Sequence, residues 1–205
     1  MGKKFRKSII VTVAVILIAM FGFSAAAQEN AKSLDVLFVH DTHSHLKEFA
    51  TVEDGESQVL GGFAKIKTLI NEKKAENPDT LILDAGDFSM GTLIQAVYEE
   101  EASEIRMLGN LGVDATTLGN HEYDYRAKGL ANMMKHAVES GDVLPEMVIS
   151  NVDWDAMKAA GLTEEQQLLW DAFENYGVKE YVVLEKDGIN IAVTGLFGVD
   201  CLACV

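Results

Sequence analysis

Short apolar runs, most of them rich in β-branched residues, alternate along the chain with segments whose apolar residues recur every three or four positions. Buried strands are predicted by the runs at residues 34–39, 80–83, 113–118 and 147–150. Helices are predicted by the periodic segments at residues 61–77, 92–111, 126–139 and 163–175. The last two runs, 181–184 and 189–193, flank Lys186-Asp187-Gly188, which is typical of a β-hairpin. This alternation indicates an α/β domain with a largely parallel or mixed sheet.

Polar side chains follow three of the predicted strands at the point where each strand ends. Asp41 and His43 come just after the first strand, Asp87 follows the second, and Asn120 and His121 follow the third. In an α/β sheet, ligands collect at the carboxyl ends of the strands. Each motif alone is compatible with an ordinary turn, but three of them at one sheet edge predict a single site.

The side chains of this predicted site have the chemistry of metal ligands. Carboxylate, imidazole and amide groups suit divalent zinc, manganese, iron or calcium, and there is no thiolate among them. Asp87, in the glycine-flanked middle loop, is the carboxylate expected to bridge two ions. Two ions about 3.5 to 4 Å apart can generate hydroxide and bind both oxygens of an in-line phosphoryl displacement. His121 can donate a proton to a phosphate oxygen, and Asp124 can hold and polarise its ring.

The first 27 residues are typical of an export signal. A basic opening precedes an apolar run of 15 residues from Ile9 to Phe23, and the small residues that a signal peptidase needs end at Ala27. A spanning helix usually takes about 20 apolar residues, so an uncleaved anchor is the weaker alternative. We therefore expect residues 1–27 to be a signal peptide and residues 28–205 to be exported to the periplasm, the cell envelope or the extracellular space, without stable membrane association.

The charge of the chain bears on its partners. The formal net charge is −15, and removal of the basic leader would make it more negative. Such a surface repels the phosphate backbone of nucleic acids, so a nucleic-acid polymer is not expected as a partner. The pair Cys201 and Cys204 has the C-x-x-C spacing, but no basic neighbour supports a redox function, and a local disulfide is an alternative.

Four stretches carry a resemblance to a known family, in order along residues 34–200. They are residues 41–46, residues 61–65, Gly86-Asp87 with Gly91, and residues 119–124. With this order and spacing the chain resembles the calcineurin-like metallophosphoesterases, and within them the exported 5′-nucleotidase branch. The resemblance implies a metallophosphoesterase-type β-sandwich with flanking helices, of which residues 28–205 are the N-terminal part and the later strands are missing.

The resemblance also implies a role for each site residue. Asp41 and His43 would bind one divalent metal ion, Asp87 would bridge, and Asn120 would bind the second. His121, paired with Asp124, would stabilise the transition state or protonate the leaving group. The implied reaction is hydrolysis of a small-molecule phosphoester, typically a 5′-nucleotide, by metal-activated water. Cyclic nucleotides and nucleotide sugars are alternative substrates.

The sequence departs from the family in one respect. The family completes its metal site with later histidines, whereas the last histidine here is His136. We therefore keep a second hypothesis from a different class, a catalytically silent module that binds a metal ion or a partner.

Overall fold

The computed structural model describes residues 32–198, and the predicted signal peptide, Cys201 and Cys204 lie outside the described residues. Within this range no helix has both the length and the apolar character needed to cross a membrane.

In the described range, the strands form one parallel sheet and two hairpins. The strands are β1 (Val36–Val39), β2 (Glu48–Glu53), β3 (Glu56–Gly61), β4 (Leu81–Asp84), β5 (Ala115–Thr116), β6 (Glu146–Met147), β7 (Tyr181–Lys186) and β8 (Ile189–Thr194). The sheet has the order β1-β4-β5-β6 with every neighbouring pair parallel, while β2 pairs with β3 and β7 with β8 in antiparallel hairpins. Because the four sheet strands run in the same direction, their carboxyl ends meet at one edge.

The α-helices between residues 32 and 198 connect the strands or follow them. They are α1 (Phe63–Glu76), α2 (Tyr98–Glu101), α3 (Ser103–Leu111), α4 (Arg126–Glu139), α5 (Trp154–Ala160) and α6 (Glu164–Tyr176), with 3-10 turns at Leu93–Val97 and His121–Tyr123. The predicted α/β class is thus confirmed. The helix α6 begins where the sequence predicts, and Thr163 and Gln166 form a reciprocal capping box at its start.

The parallel sheet lies between a helical layer and the β7–β8 hairpin. Successive strand residues point to opposite faces: Ile82 and Met147 belong to the main core with the helices, whereas Leu83 and Val148 pack in a smaller cluster with Val182 of the hairpin. Two layers of strands with helices on one side agree with the predicted sandwich.

Several sequence predictions were wrong in detail. The first strand is at the sheet edge and is not buried, since Val36 is 47% and Phe38 is 61% exposed. The helix predicted over residues 92–111 is broken at Ala102, which has a left-handed conformation (φ 47°) between α2 and α3. The β2–β3 hairpin and the helix α5 were not predicted.

Asp84, the last residue of β4, is only 4% exposed. One carboxylate oxygen accepts hydrogen bonds from the Gly86 N–H and the Thr116 hydroxyl. Burial nevertheless dominates and raises the pKa of Asp84 to about 7. The folded chain therefore binds this proton more tightly than the unfolded chain, in which an aspartate titrates near pH ~3.9.

Stability should consequently fall as the pH rises from about 4 to about 7, by an amount on the order of a few kcal/mol from this residue. The variant Asp84→Asn has no proton to lose at this position. Its unfolding free energy, relative to that of the wild type, should therefore be greater at pH 8 than at pH 5. Urea unfolding of both proteins at the two pH values measures this difference. An equal difference in unfolding free energy at both values would contradict the assignment.

Candidate metal centre

The loops that follow β1 and β4 are joined by their backbones. The N–H groups of Asp41, His43 and Ser44 donate to the carbonyls of the second loop, at 3.1, 3.1 and 2.8 Å. Asp41, His43 and Asp87 all have left-handed backbone conformations, with φ of 50°, 44° and 52°. Such conformations are uncommon outside glycine and cluster at functional sites, where the surrounding structure maintains them.

The second loop follows β4 and the third loop follows β5. The two approach each other closely because glycines lie where they meet. A Cβ on Gly86, whose φ is +84°, would lie 2.5 Å from the backbone nitrogen of Gly119. A Cβ on Gly119 would lie 2.0 Å from Oδ1 of Asp87. The same Asp87 oxygen accepts a hydrogen bond from the His121 N–H at 3.1 Å. The two loops are therefore in direct contact at the predicted bridging carboxylate.

Three of the predicted site residues converge on one point. His43, Asp87 and His121 each offer a ligand atom, and these three atoms lie within 4.8 Å of one another. The two imidazole rings meet edge to face, with centroids 5.1 Å apart. This convergence joins one residue from each of the three loops.

The Nδ1 atom of each of these two histidines has a partner that orients the ring. Nδ1 of His43 donates to the carbonyl of Ser89 at 3.2 Å, and Nδ1 of His121 contacts Oδ2 of Asp124 at 2.9 Å. Both rings therefore keep Nε2 for the site, in the arrangement that metal-binding histidines commonly have. The hydrogen bond from His121 to Asp124 also raises the pKa of His121, against the opposing effect of burial.

Asp41 and Asn120 lie beside this group. Oδ1 of Asp41 is 3.6 Å from Nε2 of His43. Asp41, Asp87 and Asn120 line one cavity of about 390 Å³, to which His40 also contributes. His40 bonds to Oδ2 of Asp41 through Nδ1, and this contact lowers the pKa of Asp41. Carboxylate, imidazole and amide donors thus share one region, and this donor set fits zinc, manganese or iron.

Glu122 is a site residue that the sequence analysis missed. Its side chain is completely buried, and its carboxylate accepts hydrogen bonds from both the second and the third loop. Burial raises the pKa of this carboxyl group, although the N–H groups of Ser89 and Gly119 act in the opposite direction. The available signal was its position inside residues 119–124, the stretch that carries the other site residues. The apolar periodicity gives no indication that this acid is buried.

Comparisons with known proteins agree with the fold. The family described as calcineurin-like phosphoesterase matches residues 34–194. The chain is 38% identical over 172 residues to the 5′-nucleotidase of Bos taurus, and the match covers 77% of this chain and 28% of that protein. It is 32% identical over 149 residues to a protein of Treponema pallidum described as a probable 5′-nucleotidase, and this match covers 71% of this chain and 24% of that one.

Among solved structures, the chain is similar to the 5′-nucleotidase precursor from Thermus thermophilus. The TM-score is 0.65 with 27% identity, over 82% of this chain and 29% of that one. The chain thus spans about a quarter of the length of these three relatives. This similarity confirms the predicted metallophosphoesterase fold.

Replacing Gly119 with alanine should weaken binding of Mn²⁺ or Zn²⁺ by about tenfold or more, since the new methyl group would displace the Asp87 carboxylate. Isothermal titration calorimetry measures the affinity. The matched control is Gly141→Ala, where a Cβ meets nothing within 4 Å but φ is +72°. That change should cost about 1 kcal/mol of stability and leave metal affinity unchanged. Wild-type affinity in Gly119→Ala would contradict the close contact.

Proposed function

Because the calcineurin-like phosphoesterase match covers residues 34–194, the chain belongs to that family, and we propose that it is part of an exported, metal-dependent phosphohydrolase acting on 5′-nucleotides. The observation that carries the proposal is the convergence of His43, Asp87 and His121 at one sheet edge, beside a cavity lined by Asp41, Asp87 and Asn120. The names of its relatives support the choice of substrate. Export is proposed from the leader pattern of residues 1–27.

The proposed centre would hold two divalent ions. Asp41 and His43 would bind the first, Asn120 would bind the second, and Asp87 would bridge between them. When bound, these ions supply a hydroxide at neutral pH and neutralise charge on the phosphate oxygens. The left-handed turns at Asp41 and His43 and the contact between the second and third loops keep the ligands in place before substrate arrives.

His121 is the proposed acid of the reaction. Asp124 holds its Nδ1 at 2.9 Å, so Nε2 faces the site and can donate a proton. A water oxygen forms the new bond to phosphorus while the bond to the leaving oxygen breaks. His121 gives its proton to that oxygen, and the products are inorganic phosphate and a nucleoside. The raised pKa of His121 favours its protonated form.

A second candidate function is a silent module that binds one ion. The observation that favours it is the position of His121 itself, within 4.8 Å of the ligand atoms of His43 and Asp87. If Nε2 of His121 binds the ion, it cannot also serve as the acid. The stoichiometry of bound metal and the presence of turnover separate the two functions.

The test is an assay of the purified chain with Mn²⁺ or Zn²⁺ against AMP and a chromogenic phosphodiester. We expect phosphate release from AMP, loss of activity in Asp87→Asn because the bridging carboxylate is gone, and a reduction by about 10² to 10⁴ in His121→Ala because the acid is gone. The matched control is His136→Ala. Nδ1 of His136 bonds to the carbonyl of Glu99, outside the centre, so this variant should retain its activity.

Two outcomes would contradict the proposed reaction, and a third would change its substrate. Full activity in Asp87→Asn would show that the reaction does not use this centre. No turnover by the wild-type chain, together with one bound ion per chain that is lost in His121→Ala, would favour the silent module. Faster hydrolysis of the phosphodiester than of AMP would move the substrate class to cyclic nucleotides or nucleotide sugars.

A further inference from the structure

The carboxylate of Glu122 is the most heavily bonded acid beside the candidate centre. Oε2 accepts hydrogen bonds from the backbone N–H groups of Asp87, at 3.0 Å, and Gly119, at 2.7 Å. Oε1 accepts from both the N–H and the hydroxyl of Ser89, each at 2.9 Å. The side chain has no exposed surface, so these four donors take the place of the water that a carboxylate would otherwise bind.

The four donors belong to two loops. One is the loop after β4, which carries the proposed bridging carboxylate, and the other is the loop after β5, which carries Asn120 and His121. Asp87 and Ser89 lie in the loop after β4, and Gly119 directly precedes Asn120 and His121. One oxygen of Glu122 therefore joins the backbone of Asp87 to the backbone of the third loop. The other oxygen holds Ser89, whose carbonyl in turn accepts the hydrogen bond that orients the ring of His43.

We propose that Glu122 is a positioning residue that fixes Asp87, the Asn120–His121 segment and the His43 ring at metal-binding separation, without contacting metal or substrate itself. The inference depends on the proposed metal site but not on hydrolysis. A glutamine of the same shape cannot replace the carboxylate, because its amide nitrogen is a donor and would face at least one backbone N–H. A carboxylate at this position satisfies every donor at once.

The experiment measures metal affinity in Glu122→Gln by calorimetry with Mn²⁺ or Zn²⁺, on the full chain, with circular dichroism and thermal unfolding to check the fold. We expect the affinity to fall by about 10- to 100-fold, which is the usual effect of removing a group that orients metal ligands. The visible absorption of bound Co²⁺ provides a second readout, and its bands should shift because the ligand geometry changes. The Co²⁺ bands report the ligand geometry of the bound ion, and the control variant below separates the change in affinity from a change in stability.

Asp114→Asn is the matched control, since it makes the same acid-to-amide change at the opposite, amino-terminal end of β5. Asp114 accepts a hydrogen bond from the Ile82 N–H at 2.8 Å and pairs with Lys186 at 2.8 Å. This variant should lose stability and keep wild-type metal affinity. Equal losses of affinity in Asp114→Asn and Glu122→Gln would overturn the inference, because general destabilisation would then explain both.

A folded Glu122→Gln variant with wild-type affinity would also overturn it. If Glu122→Gln does not fold, Ser89→Ala decides, since it deletes one of the four hydrogen bonds and leaves the three backbone donors. About a threefold or larger loss of affinity would then support the inference, and no loss would overturn it. If the wild-type chain binds metal but does not hydrolyse AMP, the comparison of metal affinities still tests the inference. A wild-type chain that binds no metal overturns the inference together with the site.

Discussion

The candidate centre depends on the close approach of three loops at the carboxyl edge of a parallel sheet. Parallel strands bring their ends to the same edge, but that alone leaves the loops several ångströms apart, because neighbouring strands are separated by about 4.8 Å. Here the first two loops are linked by backbone hydrogen bonds, and the second and third touch where Gly86 and Gly119 lack side chains. The buried carboxylate of Glu122 then joins the last two loops by hydrogen bonds.

This arrangement concentrates negative charge in a small region. Asp41, Asp87, Glu122 and Asp124 lie on these loops, and their carboxylates accept hydrogen bonds from backbone N–H groups or contact histidine rings. Repulsion between carboxylates in so small a region opposes folding, and a bound divalent cation would reduce this repulsion. Folding and metal binding should therefore be coupled, with the centre less ordered in solution when cations are withheld.

Much of this architecture follows from the sequence, because the signals are local. The apolar runs before Asp41, Asp87 and Asn120 mark parallel strand ends, and side chains of the kinds that bind metals at those ends indicate a common site. The capping residues Thr163 and Gln166 similarly specify the start of a helix by their spacing alone.

Other features depend on tertiary contacts or on signals that were overlooked. The hairpin β2–β3 turns at Asp54 and Gly55, both with positive φ. Asp-Gly is a recognised hairpin signal. It was overlooked because the apolar pattern on either side of it is too weak to predict two strands. The exposure of Phe38 could not be deduced, since an apolar run does not distinguish an edge strand from a central one. The bonds from Asp87 and Ser89 to Glu122 join residues 35 and 33 positions apart, and no sequence period records them.

A crystal structure of the chain with Mn²⁺, with the ions located by anomalous diffraction, would show whether the three loops form one metal centre. We expect density in contact with Asp41, His43 and Asp87, and a second ion about 3.5 to 4 Å away on the side of Asn120. Ions bound only elsewhere on the surface, or loops that hold Asp87 and Asn120 too far apart to share a centre, would contradict this expectation.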